Sequence, residues 1–183
     1  MTLLLETTRV TLRRFRPTDA VAFAAYRSRP EVARYQSWTA PVSLPAAVTT
    51  VARFVDADPE EPGWFQYAIA LRSTDELVGD IGIDLHENGM QAQLGFTLAP
   101  AFQGRGLATE AVGGLLDVLF DERGLHRVSA ECDARNHPSA RLLRRLGFRE
   151  EGLLRSNTWI KGEWTDDLLF GLLAADRREF AGS

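Results

Sequence analysis

A chain of 183 residues, 45% hydrophobic and 25% charged, is long enough to bury a sizeable core and fits a single domain over 1–183. Its formal net charge of -4 excludes a nucleic-acid binder that draws its affinity from neutralising phosphates. One cysteine, Cys132, excludes an internal disulfide, and His86, His126 and His137 lack metal-ligand spacing, so no metal is expected.

No run of about 18 apolar residues is present to span a bilayer. The opening MTLLLETTRVTLRRFRP carries charge within and after a very short apolar stretch, unlike a secretory signal. The expectation is a cytoplasmic protein with neither a membrane nor a nucleic-acid partner, and a homodimer is compatible with it.

In chain order, residues 8–15 set Val10 and Leu12 between charged neighbours, a strand pattern, and Pro17-Thr18-Asp19 then starts a helix through AVAFAAYRS. EVARYQSWTAP reads as a loop or helical turn with exposed aromatics, which makes it a candidate binding element. A helix is expected over 44–56, followed by the acidic, proline-containing DADPEEPG, whose default role is a solvated loop. WFQYAIALR and ELVGDIGIDL, joined by STD, form a hairpin, and QAQLGFTLA follows the turn ENGM, completing a three-stranded antiparallel meander. From Gly106 to Glu122 apolar residues fall at helical spacing, with Gly124 as the stop. HRVSAEC is a strand and NHPSARLLRRLG a short helix, its Asn-x-Pro-Ser start suiting a cap with proline in the first turn. Two closing strands flank KGEWTD. The class is mixed α/β in one domain.

The glycines of FQGRGLATEA therefore sit at a helix N-terminus, where unpaired N–H groups and the dipole favour an anion and glycine lets it approach the backbone. A Walker loop needs Gly-Lys-Ser/Thr, and the only lysine is Lys161. A dinucleotide fingerprint needs the first strand of a βαβ unit, and here the glycines follow a meander.

FQGRGLATEA resembles the acetyl-CoA pyrophosphate loop of the GNAT superfamily of N-acyltransferases, pattern Gln/Arg-x-x-Gly-x-Gly/Ala. ECDARNHPSARLLRRLGFREEGLLR resembles that superfamily's second motif, Asn136-x-x-Ser139 followed by Leu146-Gly147-Phe148. With TTRVTLRRFRPTDA, PEVARYQSW and KGEWTDDLLF, the chain is most similar to the ribosomal-protein N-acetyltransferase-like branch. The resemblance implies a mostly antiparallel, splayed sheet flanked by helices, whose fourth and fifth strands part to admit acetyl-CoA. It also implies amides of Gln103, Gly104, Arg105, Gly106, Leu107, Ala108 and Thr109 around the pyrophosphate. The backbone at Leu98 would then lie at the thioester, and Asn136 and Ser139 on the other side of the cofactor. Arg105 is expected to approach the ribose phosphate. Tyr35, Trp38 and Asp84 are expected to bind the amine acceptor, a peptide or small molecule, with Trp159 and Trp164 able to close the pocket.

Many relatives place a proton-donating tyrosine four residues before the Gly-Phe pair; here that residue is Leu143. The ribosomal branch can instead use a serine with a glutamate on the following strand; Ser139 matches, but residues 155–158 contain no glutamate. Ser139 is the expected proton donor, with Asn136 beside it, against a capping role. Asp80, Asp84, Glu87, Glu131 and Asp133 remain as bases, and the sequence does not choose among them. Arg141, Arg144 and Arg145 read as a solvated helix face, and Cys132 as a small apolar residue of a central strand. Two functions follow: an acetyl-CoA-dependent N-acetyltransferase acting by direct attack in a ternary complex, and a catalytically weak acyl-CoA-binding module.

Overall fold

The computed structural model describes residues 5–181. Strand β1 (Leu5–Glu6) pairs with β2 (Val10–Arg14), in which Val10 and Leu12 are fully buried, as the alternation requires. A 3-10 turn, Pro17–Asp19, leads into α1 (Ala20–Arg27). Its geometry is held by the buried Asp19 carboxylate, which accepts from the Arg16 amide at 2.7 Å and from both Arg13 guanidinium nitrogens at 2.8 and 2.9 Å. The segment expected as a loop or helical turn follows, with one turn, α2 (Pro30–Ala33), started by proline. Helix α3 (Leu44–Asp56) begins at Ser43, whose hydroxyl accepts from Ala46 N–H at 3.3 Å.

The meander is β3 (Gly63–Leu71), β4 (Leu77–Leu85) and β5 (Gln91–Leu98), antiparallel throughout. Helix α4 (Leu107–Asp117) then crosses to β6 (Arg127–Asp133), which pairs parallel with β5. Helix α5 (His137–Arg145), the hairpin β7 (Arg149–Ile160) and β8 (Glu163–Leu173), and α6 (Ala174–Ala181) complete the chain. The sheet order is β1-β2-β3-β4-β5-β6-β8-β7. One sheet face carries Ile81, Leu94, Val128 and Phe170 into a core shared with Leu115 and Leu116 of α4 and Leu143 of α5. On the opposite face, Phe15, Phe23 and Phe54 pack with centroids 5.8, 5.2 and 5.9 Å apart, beside Ala68 and Leu77.

Several elements depart from the expectation. The helix of 106–122 is α-helical only to Asp117 and continues as a π-turn over Val118–Glu122. Arg123 N–H reaches back to Val118 O at 2.9 Å, and the wider turn buries the consecutive Val118, Leu119 and Phe120 together. The strand expected through Ala174 stops at Leu173, where α6 starts. KGEWTD is mostly strand: the turn is Lys161–Gly162 alone, with φ of 51° and 85°, the left-handed pair of a tight hairpin. Among the described residues no helix is long and apolar enough to cross a membrane.

Candidate active site

The pairing of β5 with β6 runs from Gln91–Arg127 to Leu94–Ala130 and then ends, while β6 continues alongside β8 as far as Asp133–Asp167. Residues 95–98 and 131–133 therefore diverge, and the gap opens into a cleft of about 530 Å³. Thr97 and Leu98 form one wall and Asn136 and Ser139, at the start of α5, another. Gln103, Gly104, Gly106, Leu107, Ala108 and Thr109 close the end at which α4 begins.

The loop is fastened at both ends. Gln103 Nε2 donates to Leu98 O at 2.8 Å, tying the loop to the strand that precedes it. Behind it, the Glu110 carboxylate accepts from Thr7 Oγ1, Arg9 N–H and Arg9 Nε, each at 2.6 Å, and Arg9 Nη1 donates to Arg105 O at 2.8 Å. Partial burial opposes ionisation of Glu110, but these donors outweigh it and hold its pKa below the usual carboxylate value. Gly106 caps α4 with φ 77°, leaving the first-turn amides without helical partners. The Arg105 side chain turns away from the cleft, lying over the Phe102 ring at 5.6 Å in a second hollow with Arg9 and Arg72.

On α5, Arg141 and Arg145 line the cleft one helical turn apart and make no ion pair among the described residues, whereas Arg144 pairs with Glu150 outside it. Their i, i+4 spacing was the available signal; the opposite helix face was the drier one only once α5 was docked. Asn136 Oδ1 accepts the Ser139 amide at 3.3 Å, so Asn136 caps the helix. The Ser139 hydroxyl makes no hydrogen bond among the described residues and is available to a bound molecule. Leu143 is 1% exposed in the core, so the usual tyrosine position holds only packing here.

The acceptor residues divide. Tyr35 lines the cleft with Glu31 and Gln36, its ring between the guanidiniums of Arg34 at 5.1 Å and Arg135 at 6.0 Å. Trp38 is not in the cleft: it donates to Arg27 O at 3.0 Å and stacks on the Arg27 guanidinium at 4.0 Å. Asp84 lies in a separate hollow with Gly63, His86 and Glu87. Trp159 and Trp164 meet edge to face with centroids 5.4 Å apart, each 60% exposed, and the turn between them reaches α2 through a hydrogen bond from Lys161 Nζ to Ala33 O.

Partners occupy two of the five carboxylates, and position sets apart Asp84 and Glu87, which share the separate hollow. Asp80 is 1% exposed and engaged by Tyr26 Oη, by Arg27 at 2.8 Å and by Gln66 Nε2 at 2.5 Å. Asp133 accepts three hydrogen bonds from Arg135, which outweigh its burial and keep its pKa low. Glu131 accepts none among the described residues; it is exposed on β6 beside the cleft lining, and partial loss of solvent with the nearby Asp167 pushes its pKa up. Burial raises the Cys132 thiol to about 11, which keeps it protonated and a poor nucleophile.

Residues 9–149 match the Acetyltransferase (GNAT) domain. The chain belongs to the GNAT acetyltransferase family. It is 36% identical over 180 residues to an uncharacterized N-acetyltransferase, p20, of Bacillus licheniformis, covering 97% of this chain and 98% of that one. It is 34% identical over 83 residues to the [ribosomal protein uS5]-alanine N-acetyltransferase of Escherichia coli, covering 45% and 43%. A GNAT-family acetyltransferase structure from Bacillus anthracis superposes with a TM-score of 0.86 at 24% identity, covering 94% and 99%. As a GNAT N-acetyltransferase the protein uses acetyl-CoA, and the cleft suits it: unpaired amides at the capped end, two free guanidiniums and a strand edge left open where β5 leaves β6.

Proposed function

We propose that the protein transfers acetyl directly to the α-amine of a peptide, or to a small-molecule amine of similar acidity, within a ternary complex. Glu131 is the base and Ser139 the proton donor. The observation that carries this is the parting of β5 and β6 after Leu94–Ala130, which opens the cleft beside the unbonded Ser139 hydroxyl and leaves Glu131, the next residue of β6, exposed on the sheet face away from α4 and α5. Acetyl-CoA supplies an activated thioester. The amides of Gly104, Arg105, Gly106, Leu107 and Ala108 hold its diphosphate, Arg141 and Arg145 its remaining negative charge, and the β5 backbone at Leu98 orients the carbonyl. Glu131 takes the proton that the ammonium must lose before nitrogen attacks the carbonyl carbon. As the C–S bond breaks, the Ser139 hydroxyl gives a proton to sulfur, and the second proton that the acylated nitrogen must lose passes through solvent and restores the hydroxyl, while Glu131 releases its proton to solvent. Elevation of the Glu131 pKa brings base and ammonium closer, which favours the transfer.

The choice of amine follows from its own acidity. At pH 7 a lysine ammonium with pKa near 10.4 costs ~4 kcal/mol to deprotonate, against ~1 kcal/mol for an α-amine near 7.7–8.0. A relative that acts on the alanine of a ribosomal protein is consistent with a peptide acceptor. Competition at pH 7 between peptides that differ only in a free α-amine or a free lysine amine tests the proposal, with thiol release as readout. Preferential α-amine acetylation is expected, and preferential lysine acetylation overturns it. No thiol release with any amine would favour the acyl-CoA-binding module instead.

A further inference from the structure

We propose that Trp64, with Asp84 beside it, is the subsite for the side chain next to the acceptor amine, and that it selects aromatic or cationic groups over acidic ones. The inference rests on the direct-transfer reading above and adds the substrate's recognised feature.

Trp64 is 53% exposed, yet its indole is fixed rather than free. Its Nε1 donates to Gln66 Oε1 at 2.8 Å, Gln66 Nε2 donates to Asp80 at 2.5 Å, and Asp80 is held in turn by Tyr26 and Arg27. The ring lies down on the sheet over Gly82: a Cβ there would stand 2.1 Å from Trp64 Cζ2 and 2.6 Å from Cε2. Its far tip, Cη2, reaches to 3.8 Å from the Cβ position of Gly95, which is paired with Gly82. Glycine weakens a strand interior unless something must approach the backbone, and here that something is an aromatic face presented to solvent.

Register connects this platform to the reaction. The last β5–β6 pair is Leu94–Ala130, so the next residues, Gly95 and Glu131, point to the same sheet face as Trp64 and border the opening from its two strands. An amine beside Glu131 therefore carries its first side chain over the indole. Asp84, paired across the ladder with Trp64, adds negative charge at the outer rim. An electron-rich ring flanked by Asp84 and Glu131 attracts cations and planar groups and repels carboxylates.

The test uses lysine-free peptides beginning with Phe, Arg, Ala or Glu, with phenethylamine and ethylamine as simple counterparts. The parent is expected to favour Phe and Arg over Ala by about fivefold or more in kcat/KM, and to discriminate further against Glu. Trp64→Ala should bring these ratios within about twofold while leaving CoA affinity unchanged by calorimetry. Trp64→Phe should retain the Phe preference, and Asp84→Asn should lower the Arg preference alone. Calorimetric binding of the acetylated Phe and Glu products reads the subsite without turnover. A Trp64-dependent difference there, with all α-amines idle, would sink the transfer reading and keep the subsite. An unchanged order of substrates or products in Trp64→Ala overturns the subsite itself.

Discussion

Glu131 keeps its carboxylate in surroundings that penalise ionisation, and this has two measurable sides. A carboxyl whose pKa is higher in the folded than in the unfolded chain adds stability below the unfolded pKa, and that contribution is lost as pH rises through the folded value. Glu131→Gln is therefore expected to unfold no lower than the parent at neutral pH, with the difference closing toward about pH 4. Its kcat should fall ~100- to 10,000-fold, and the parent's rate should decline as pH drops through the raised pKa. A stable, fully active variant would remove Glu131 from the mechanism. Ser139→Ala is the companion change. Because Asn136 supplies the cap, loss of the hydroxyl leaves α5 intact. The expected result is a ~100- to 10,000-fold lower kcat with little change in the acetyl-CoA KM; a drop below about threefold assigns the proton to water.

At the level of elements, the glycine loop before α4, proposed above to hold the diphosphate, is shaped by contacts from both sides. Gly106 sits at φ 77°, and a Cβ there would come within 3.3 Å of Arg9 Nη2. Gly106→Val forces a β-branched residue into the left-handed region against the arginine that braces the loop, so CoA affinity should fall at least about tenfold in a protein of unchanged circular dichroism. Equal calorimetric affinities would withdraw the loop from the binding site. What could be read from the chain was what is encoded locally: the meander with its turns, the glycine cap and the Asn-x-Pro-Ser helix start. β1 is two residues long and too short to show a period. The Glu110 brace spans 101 residues to Arg9, and the seat of Trp64 on Gly82 depends on sheet register, so neither has a signature in sequence spacing. Trp38 fell in an acceptor-like segment, but the Arg27 guanidinium beneath it, and not the cleft, took its face. Glu131 was one of five carboxylates: hydrogen bonds occupy Asp80 and Asp133, and Asp84 and Glu87 lie in a separate hollow, which the fold decides and sequence spacing does not.

Across the whole molecule, α4 and α5 cover the sheet face toward which the cofactor loop opens, while Glu131, Gly95 and Trp64 share the opposite face. Donor and acceptor can thus come from different sides and meet only where β5 and β6 separate, which suits a ternary complex and leaves Cys132 without a role as acyl carrier. The β7–β8 hairpin carries Lys161, the only lysine among 183 residues, its Nζ bonded to Ala33 O and its pKa lowered by burial. For surface chemistry this makes the enzyme a protein with a single side-chain amine handle. A dye, a cross-linker or a solid support coupled to lysine has one destination, the tip of the β7–β8 hairpin where it meets α2.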